Sequence, residues 1–379
     1  MSIRTVQSAV VAVPLREPTA FATTVVTARE YVIVAIEDND GTVGIGFTIG
    51  GRIPGDGAVI RSAVELLGSL IIGEDPVPAT LWSKLYEASI LLGRRGAAVR
   101  ALSAIDIALW DQLGRRTGQS VCALLGGGPA RVPAYASGGY YREGKGLDGL
   151  ADEVRRYAAN GFTSFKIKVG RLDPIEDAER VRVARETVGP HARLALDANN
   201  AWRDAASAIS AVRRFEPYDP WWIEEPVLPD ALTASRDVAD ATRVPVATGE
   251  IEATRWGFKA LLDNRAASIL QADATVAGGI TEWVRIAHLA SAYDVQVAPH
   301  WMQNLHVQLV AAVDNGLTVE YFHLDEDIFN FERLVTEPLE SRDGTLVRPD
   351  RPGTGVAFDP SAVEQWTVTG SVPLLKETV

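Results

Sequence analysis

Cysteine occurs once in this chain of 379 residues, at Cys122, so no internal disulfide framework can form and a reducing compartment suits it. Cys122 itself reads as a small buried hydrophobe. Positive charge is also short: 37 Lys and Arg stand against 49 Asp and Glu, a formal net charge of −12. That balance argues against nonspecific binding to nucleic acid or to anionic membranes. It leaves room for an anionic substrate, because a bound metal ion reverses the local field. Long apolar runs are missing. The opening Met1-Ser2-Ile3-Arg4-Thr5-Val6 lacks a signal-peptide core, and no stretch reaches the ~18 residues of a membrane span. A cytoplasmic location is the expectation. A dinucleotide fingerprint is missing as well: Gly44-Ile45-Gly46 and Gly126-Gly127-Gly128 lack its spacing between strand and helix, and both read as turns.

What remains is ordinary for a soluble globular protein, with 47% hydrophobic and 23% charged residues. The length suffices for a barrel of ~250 residues plus a second domain. Residues 1 to about 50 read as antiparallel strands at Val6–Val13, Tyr31–Glu37 and Thr42–Thr48, the last two joined by the turn Asp38-Asn39-Asp40-Gly41. Helical periodicity follows over Ala58–Leu70, Pro78–Leu92 and Ala97–Gly114. Gly126-Gly127-Gly128-Pro129 then marks a domain boundary. From Val132 the pattern alternates. Strands are expected near 132–136, 164–168, 193–197, 221–224, 245–249, 268–272, 295–299 and 317–320. Helices are expected at 148–160, 174–188, 203–214, 232–240, 254–263, 279–292 and 302–313. Such alternation implies a parallel sheet, and eight strands favour closure into a barrel. The helix signal weakens after Glu320. The expected domains are a capping unit over 1–125, a barrel over 126–352, and a tail over 353–379 that returns to the first.

The strand ends carry ionisable groups in series, where ordinary strands end in turn formers. Asp197, Glu224 and Glu250 end three consecutive expected strands, whose neighbours lie ~5 Å apart. Three converging carboxylates repel one another unless a hard divalent cation joins them, and all-oxygen ligation suits Mg²⁺. The competing role, capping a helix or pairing with a lysine, explains any one of them singly but not all three. Lys166 and Lys168 share one strand face, with Phe165, Ile167 and Val169 on the other. A neighbouring ammonium and a metal would both lower the pKa of Lys168 towards that of a base. Asp273 and His300 end the sixth and seventh strands, close enough for a carboxylate to orient an imidazole. Glu320, at the eighth, could donate a hydrogen bond to a substrate carboxylate if kept protonated. Glu225 points away from Glu224 and reads as supporting structure. Together these groups describe abstraction of the proton α to a carboxylate, giving an enolate, with a metal neutralising charge and two bases flanking the α-carbon.

These residues resemble the enolase superfamily, and within it the mandelate racemase subgroup, over essentially the whole chain. Ala104-Ile105-Asp106-Ile107-Ala108-Leu109-Trp110-Asp111 with Leu124-Leu125-Gly126-Gly127 looks like the family's helix and its exit to the barrel. Lys166-Ile167-Lys168 matches the Lys-x-Lys motif. Asp197-Ala198-Asn199, Ile223-Glu224-Glu225-Pro226 and Thr248-Gly249-Glu250 match the metal-ligand motifs. Asp273, His300 and Glu320 match the subgroup's dyad and eighth-strand acid. The resemblance implies an α/β fold: a modified (β/α)₇β TIM-type barrel with an N-terminal α+β capping domain. It implies one Mg²⁺ per subunit on Asp197, Glu224 and Glu250. Lys168 would be one acid/base, with Lys166 tuning it and holding the substrate carboxylate; His300, oriented by Asp273, would be the other. Asn199 would bind a substrate oxygen. The partner is a small carboxylate, with no nucleic acid or membrane, in a homo-oligomer from dimer to octamer.

Substrate choice falls to the segments Pro18–Thr27 and Gly50–Gly57, where Thr24 and Arg52 can meet hydroxyls, and to Tyr141 beyond the first barrel strand. The favoured reading is dehydration of an acid sugar, an aldonate or aldarate, to a 2-keto-3-deoxy acid. Alternatives are a racemase or epimerase of a 2-hydroxy acid, a sugar-lactone cycloisomerase and, in a different class, an acid-sugar-binding protein without turnover.

Overall fold

The computed structural model describes residues 1–51 and 53–377. Its first sheet grows from β-branched strands in antiparallel order: β1 (Ile3–Phe21), β2 (Thr24–Asp38) and β3 (Val43–Ile49). The Asp38 carboxylate accepts from the backbone of Asp40 and Thr42 at 2.9 and 3.0 Å, which fixes the turn between β2 and β3. Side chains on β2 alternate between two cores. Val32, Val34 and Ile36 pack with the helices α1 (Asp56–Ser69), α2 (Pro78–Ser89) and α3 (Ala97–Thr117), whereas Tyr31, Ile33 and Ala35 join a core continuous with the second domain. The turn expected at Gly44–Gly46 is not there. Both glycines lie inside β3, where a Cβ would overlap the carbonyl oxygens of Ala108 and Ala104, so their bareness lets α3 rest on the sheet.

Eight parallel strands follow: β4 (Arg131–Ser137), β5 (Ser164–Lys168), β6 (Arg193–Asp197), β7 (Ile223–Glu224), β8 (Val246–Thr248), β9 (Ile269–Leu270), β10 (Gln296–Val297) and β11 (Val319–Tyr321). They pair in sequence from β4 to β10, and β11 pairs with β4. The ring closes where Val297 bonds Asn315 and Leu317 through backbone contacts of 2.9 and 2.8 Å. Helices Leu147–Ala159, Pro174–Val188, Ala205–Phe215, Leu232–Ala241, Thr254–Asp263, Gly279–Ser291 and Gln303–Ala311 surround it, each within about two residues of its expected place. After β11 come short 3₁₀ turns, Leu324–Glu326 and Asn330–Leu334, in place of an eighth helix. The fold is a (β/α)₇β barrel. Tyr135, Ala195, Trp222, Ala247, Ile269 and Ala298 fill a layer inside it, a packed floor beneath the strand ends. A hairpin not foreseen from sequence, β12 (Ser341–Arg342) and β13 (Thr345–Val347), adds antiparallel to the start of β4. β14 (Thr367–Ser371) pairs with β1.

The first domain is fastened to the barrel by a helix cap donated from another element. The helix Gly279–Ser291 has no capping side chain of its own. Asp106 of α3 accepts instead from Thr281, at 2.9 Å from its backbone N–H and 2.6 Å from its hydroxyl, and both residues are buried. Asp106→Ala should strand that N–H and cost about 2 kcal/mol, the scale of a lost cap plus a buried unsatisfied donor. A fall in the denaturant midpoint of this size checks the assignment; an unchanged midpoint refutes it.

Candidate functional site

The functional side chains reach one cavity because β5 to β11 all end on the same rim. On β5 the alternation Phe165, Ile167 outward and Lys166, Lys168 inward is as the period of a strand requires. Lys168 lines a cavity of about 380 Å³, with Asn199, Glu250 and His300. Lys166 lies deeper, 1% exposed, 2.7 Å from both Glu224 and Glu320 and 3.8 Å from Asp197. One oxygen or more from each of Asp197, Glu224 and Glu250 falls within 4.8 Å of the others, a span that a small hard cation bound at ~2.1 Å can bridge. The electrostatics also fit a cation. Burial, then repulsion from Asp197, pushes the Glu224 carboxyl up to about 8, a penalty on its charged form that a cation held there would relieve. Burial also works against Asp197, but Lys168 and Lys166 hold it well below the usual carboxylate range. Trp222 and Gln271 donate to Glu224 at 3.2 and 2.5 Å and fix its rotamer.

Asp273 accepts at 2.8 Å from the backbone of Thr275 and so caps the one-turn helix Ala274–Ala277. Its other oxygen lies 3.1 Å from His300 Nδ1. That contact turns His300 Nε2 towards the cavity, 3.6 Å from Glu250. Burial opposes a charged ring, yet Glu250 and Asp273 raise the His300 pKa to about 9.

Burial lowers the affinity of Lys168 for its proton, but the Asp197 carboxylate in contact with it and nearby Tyr140 outweigh that and, for the protein alone, hold its pKa above the ordinary lysine value; a cation held by Asp197 would offset that carboxylate and supply the lowering expected. One expectation needs correction. Glu320 is not held protonated. Burial favours the neutral acid, but Lys166 and His300 bring it down to about 2, and it accepts from Ser137 Oγ and Trp301 N at 2.7 and 2.8 Å. An ionised Glu320 accepts and does not donate.

The specificity segments are placed differently. Tyr141 gives its hydroxyl to Asp177 at 2.7 Å and faces a separate surface cavity of about 1320 Å³ that holds none of the strand-end groups. Its neighbour Tyr140 takes the place by the catalytic cavity, since adjacent residues of an extended segment point opposite ways. Thr24 opens β2 opposite Phe21, and Phe21, not Thr24, lines the cavity. Arg52 lies outside the described residues. Sequence reasoning missed Arg29, Arg100 and Trp301, which line the cavity with Gly50, Gly51 and Asp56. Only Trp301, directly after His300, sat beside a visible signal.

It also missed His306, fully buried, which accepts from the backbone N–H of Ala274 at 3.1 Å and lies 3.5 Å from Asp273. Burial lowers its pKa to about 4. The native state therefore resists a proton that the unfolded chain takes up near pH 6.5, so the stability His306 contributes is present above pH 6.5 and is lost as pH falls towards 4. The loss is on the order of 3 kcal/mol, from about 2.5 pH units at 1.36 kcal/mol each. His306→Gln, whose amide oxygen can still accept from Ala274, should flatten the melting profile between pH 6.5 and 4 relative to wild type; parallel profiles would exclude this role.

Among the described residues no helix is long and apolar enough to cross a membrane. Residues 3–126 match the N-terminal domain of the mandelate racemase / muconate lactonizing enzyme family, and residues 149–362 match the enolase C-terminal domain-like family. The chain is 36% identical over 346 residues to arabinonate dehydratase of Saccharolobus solfataricus, covering 89% of this chain and 90% of that protein. It superposes with a TM-score of 0.87 at 33% identity on L-talarate dehydratase from Polaromonas sp. JS666, solved with Mg and L-glucarate, over 98% of each chain. A racemase from Streptomyces coelicolor with bound magnesium gives a TM-score of 0.90 at 31% identity, over 97% of this chain and all of that one. The strand-end carboxylates, the two-domain fold and these similarities agree: the chain is an enzyme of the mandelate racemase / muconate lactonizing enzyme family, in the enolase superfamily.

Proposed function

We propose that the protein is a Mg²⁺-dependent dehydratase of an acid sugar, producing a 2-keto-3-deoxy acid. The observation that carries this reading is a single small cavity walled by Lys168 and the His300–Asp273 pair. β5 and β10 stand three steps apart around the ring through β4 and β11, with the Asp197, Glu224 and Glu250 cluster between them on the other arc. Similarity to arabinonate and L-talarate dehydratases adds to it.

When held by Asp197, Glu224 and Glu250, the cation supplies positive charge that favours the enolate over the protonated acid. In the favoured order Lys168 Nζ takes the C2 proton. His300, held by Asp273, protonates the C3 hydroxyl, which departs as water as the C3–O bond breaks. The resulting enol then takes a proton at C3, gives up its O–H proton and becomes the 2-keto acid. The same residues also fit the reverse assignment, in which His300 abstracts. Asn199, whose Oδ1 is buried without a hydrogen-bond partner, accepts from a substrate hydroxyl. Lys166 and Glu320 hold the charge network beneath, and Phe21 and Tyr140 exclude water above. A wall carrying Arg29, Asp56, Arg100 and Asn199 suits a polyhydroxylated chain better than an aryl acid.

Two groups on opposite walls would equally allow proton exchange between the faces of C2, so racemisation is the second reading, and the similarity to a solved racemase favours it. We further assign residues 1–125 to the cap, 126–352 to the barrel and 353–379 to a returning segment, in a cytoplasmic homo-oligomer. A screen of mono- and diacid sugars with Mg²⁺, detecting 2-keto-3-deoxy products, tests the reading. An inverted substrate with no keto acid would transfer the assignment to a racemase.

A further inference from the structure

Two residues of the cavity wall, Arg29 and Trp301, take no part in the chemistry at C2. Trp301 follows His300 with φ of 65°, a left-handed conformation that is rare for a large aromatic residue and is kept where the surroundings impose it. Its ring lies 5.7 Å from that of His300, nearly parallel. The guanidinium of Arg29, from β2 of the cap, sits 4.5 Å from the centroid of the same ring. Trp301 thus links the proton-transfer end to Arg29.

Arg29 differs from its neighbour Arg100. Arg100 donates to the carbonyl of Ile49 at 2.7 Å and stands in the field of Asp273, Asp56 and Glu250. Arg29 makes no ion pair among the described residues, and its Nε is buried with no hydrogen-bond partner. The indole N–H of Trp301 is likewise buried and unsatisfied. A guanidinium without a counter-ion in a cavity wall is costly, and its stacking on Trp301 offsets only about 1–2 kcal/mol. Two residues with unsatisfied donors that line the same cavity fit an acceptor carrying negative charge, and a guanidinium fork matches a carboxylate. The volume of about 380 Å³ is near the lower bound of small-molecule cavities, roughly 300 Å³, so the group must belong to a compact molecule.

We infer that Arg29 and Trp301 receive a second, distal carboxylate of the substrate, which makes the substrate a sugar diacid, not a monoacid. This rests on the acid-sugar reading given above. The diacid spans the cavity, with one carboxylate at the Asp197–Glu224–Glu250 end and the other at Arg29, so its length sets which carbon meets Lys168 and His300.

The test compares aldonates with aldarates of matching hydroxyl configuration, each with Mg²⁺, in wild type and in the Arg29→Gln, Arg29→Lys and Trp301→Phe variants. Wild type should favour the diacid in kcat/KM by at least ~10²-fold, the scale of losing one partner of a buried charge pair. Arg29→Gln should lose most of that preference through KM on the diacid, lowering kcat/KM for the diacid at least ~10-fold more than for the matched monoacid. Arg29→Lys should keep part of it, and it guards against a Gln variant that folds poorly. Trp301→Phe, which removes the N–H and part of the ring face under Arg29, should fall between. Monoacids turned over as well as their matched diacids would overturn the inference. If no sugar acid of either kind reacts, dehydration is the reading that fails, and calorimetry of the same pairs on Mg²⁺-loaded Lys168→Ala protein decides this one. Diacids bound at least ~10-fold tighter, with the difference lost in Arg29→Gln, sustain it; equal or absent binding overturns it.

Discussion

Glu224→Gln should abolish turnover and weaken Mg²⁺ binding by ~10²-fold or more, while leaving the fold intact. The change keeps the shape of the side chain, so Trp222 and Gln271 can still donate to it. Lys166 keeps Glu320 at 2.7 Å and Asp197 at 3.8 Å. What disappears is one of three anionic ligands; even residues that merely orient a ligand change affinity 10–100-fold when mutated. Because burial and Asp197 make the Glu224 charge unfavourable without a cation, the variant should melt no lower than wild type in excess EDTA. Calorimetric titration with Mg²⁺ and a melting curve in EDTA check both halves. Full activity of wild type in excess EDTA would remove the metal from the account.

Removing either proton carrier should cost at least ~10²-fold in turnover on an active substrate, the lower range for positioned acid–base catalysis. Lys168→Ala and His300→Asn separate the two orders of events. If His300 only protonates the leaving hydroxyl, His300→Asn should still exchange the C2 proton with D₂O through Lys168. If His300 abstracts, exchange and dehydration should vanish together. A His300→Asn protein that dehydrates at the wild-type rate would leave the mechanism without its acid.

The barrel was legible because each strand and each helix is a local pattern with its own period. Expected and observed bounds differ mainly at strand ends, as at β10, where only Gln296–Val297 keep ladder pairing. The metal cluster was legible for the same reason: three carboxylates end three consecutive strands. Charge states were not legible. Lys168 depends on Asp197 of the adjacent strand and Glu320 on Lys166 two strands away around the ring, through side-chain contacts that no spacing specifies. The capping-domain contribution was hardest. Arg29 sits among β-branched residues on a long strand, and only the tertiary position of β2 over the barrel brings it to Trp301. Tyr140 and Tyr141 show the resolution reached: the segment was identified, but not which of two adjacent tyrosines faces inward.

The central claim, metal-dependent removal of the proton α to a carboxylate, is tested most directly by proton NMR of acid sugars with the Mg²⁺-loaded protein in D₂O. The account predicts that at least one substrate loses its C2 proton and yields a 2-keto-3-deoxy acid carrying deuterium at C3, and that excess EDTA stops the reaction. An acid-sugar set from which no C2 proton is lost, or product formed at an undiminished rate in EDTA, would contradict it.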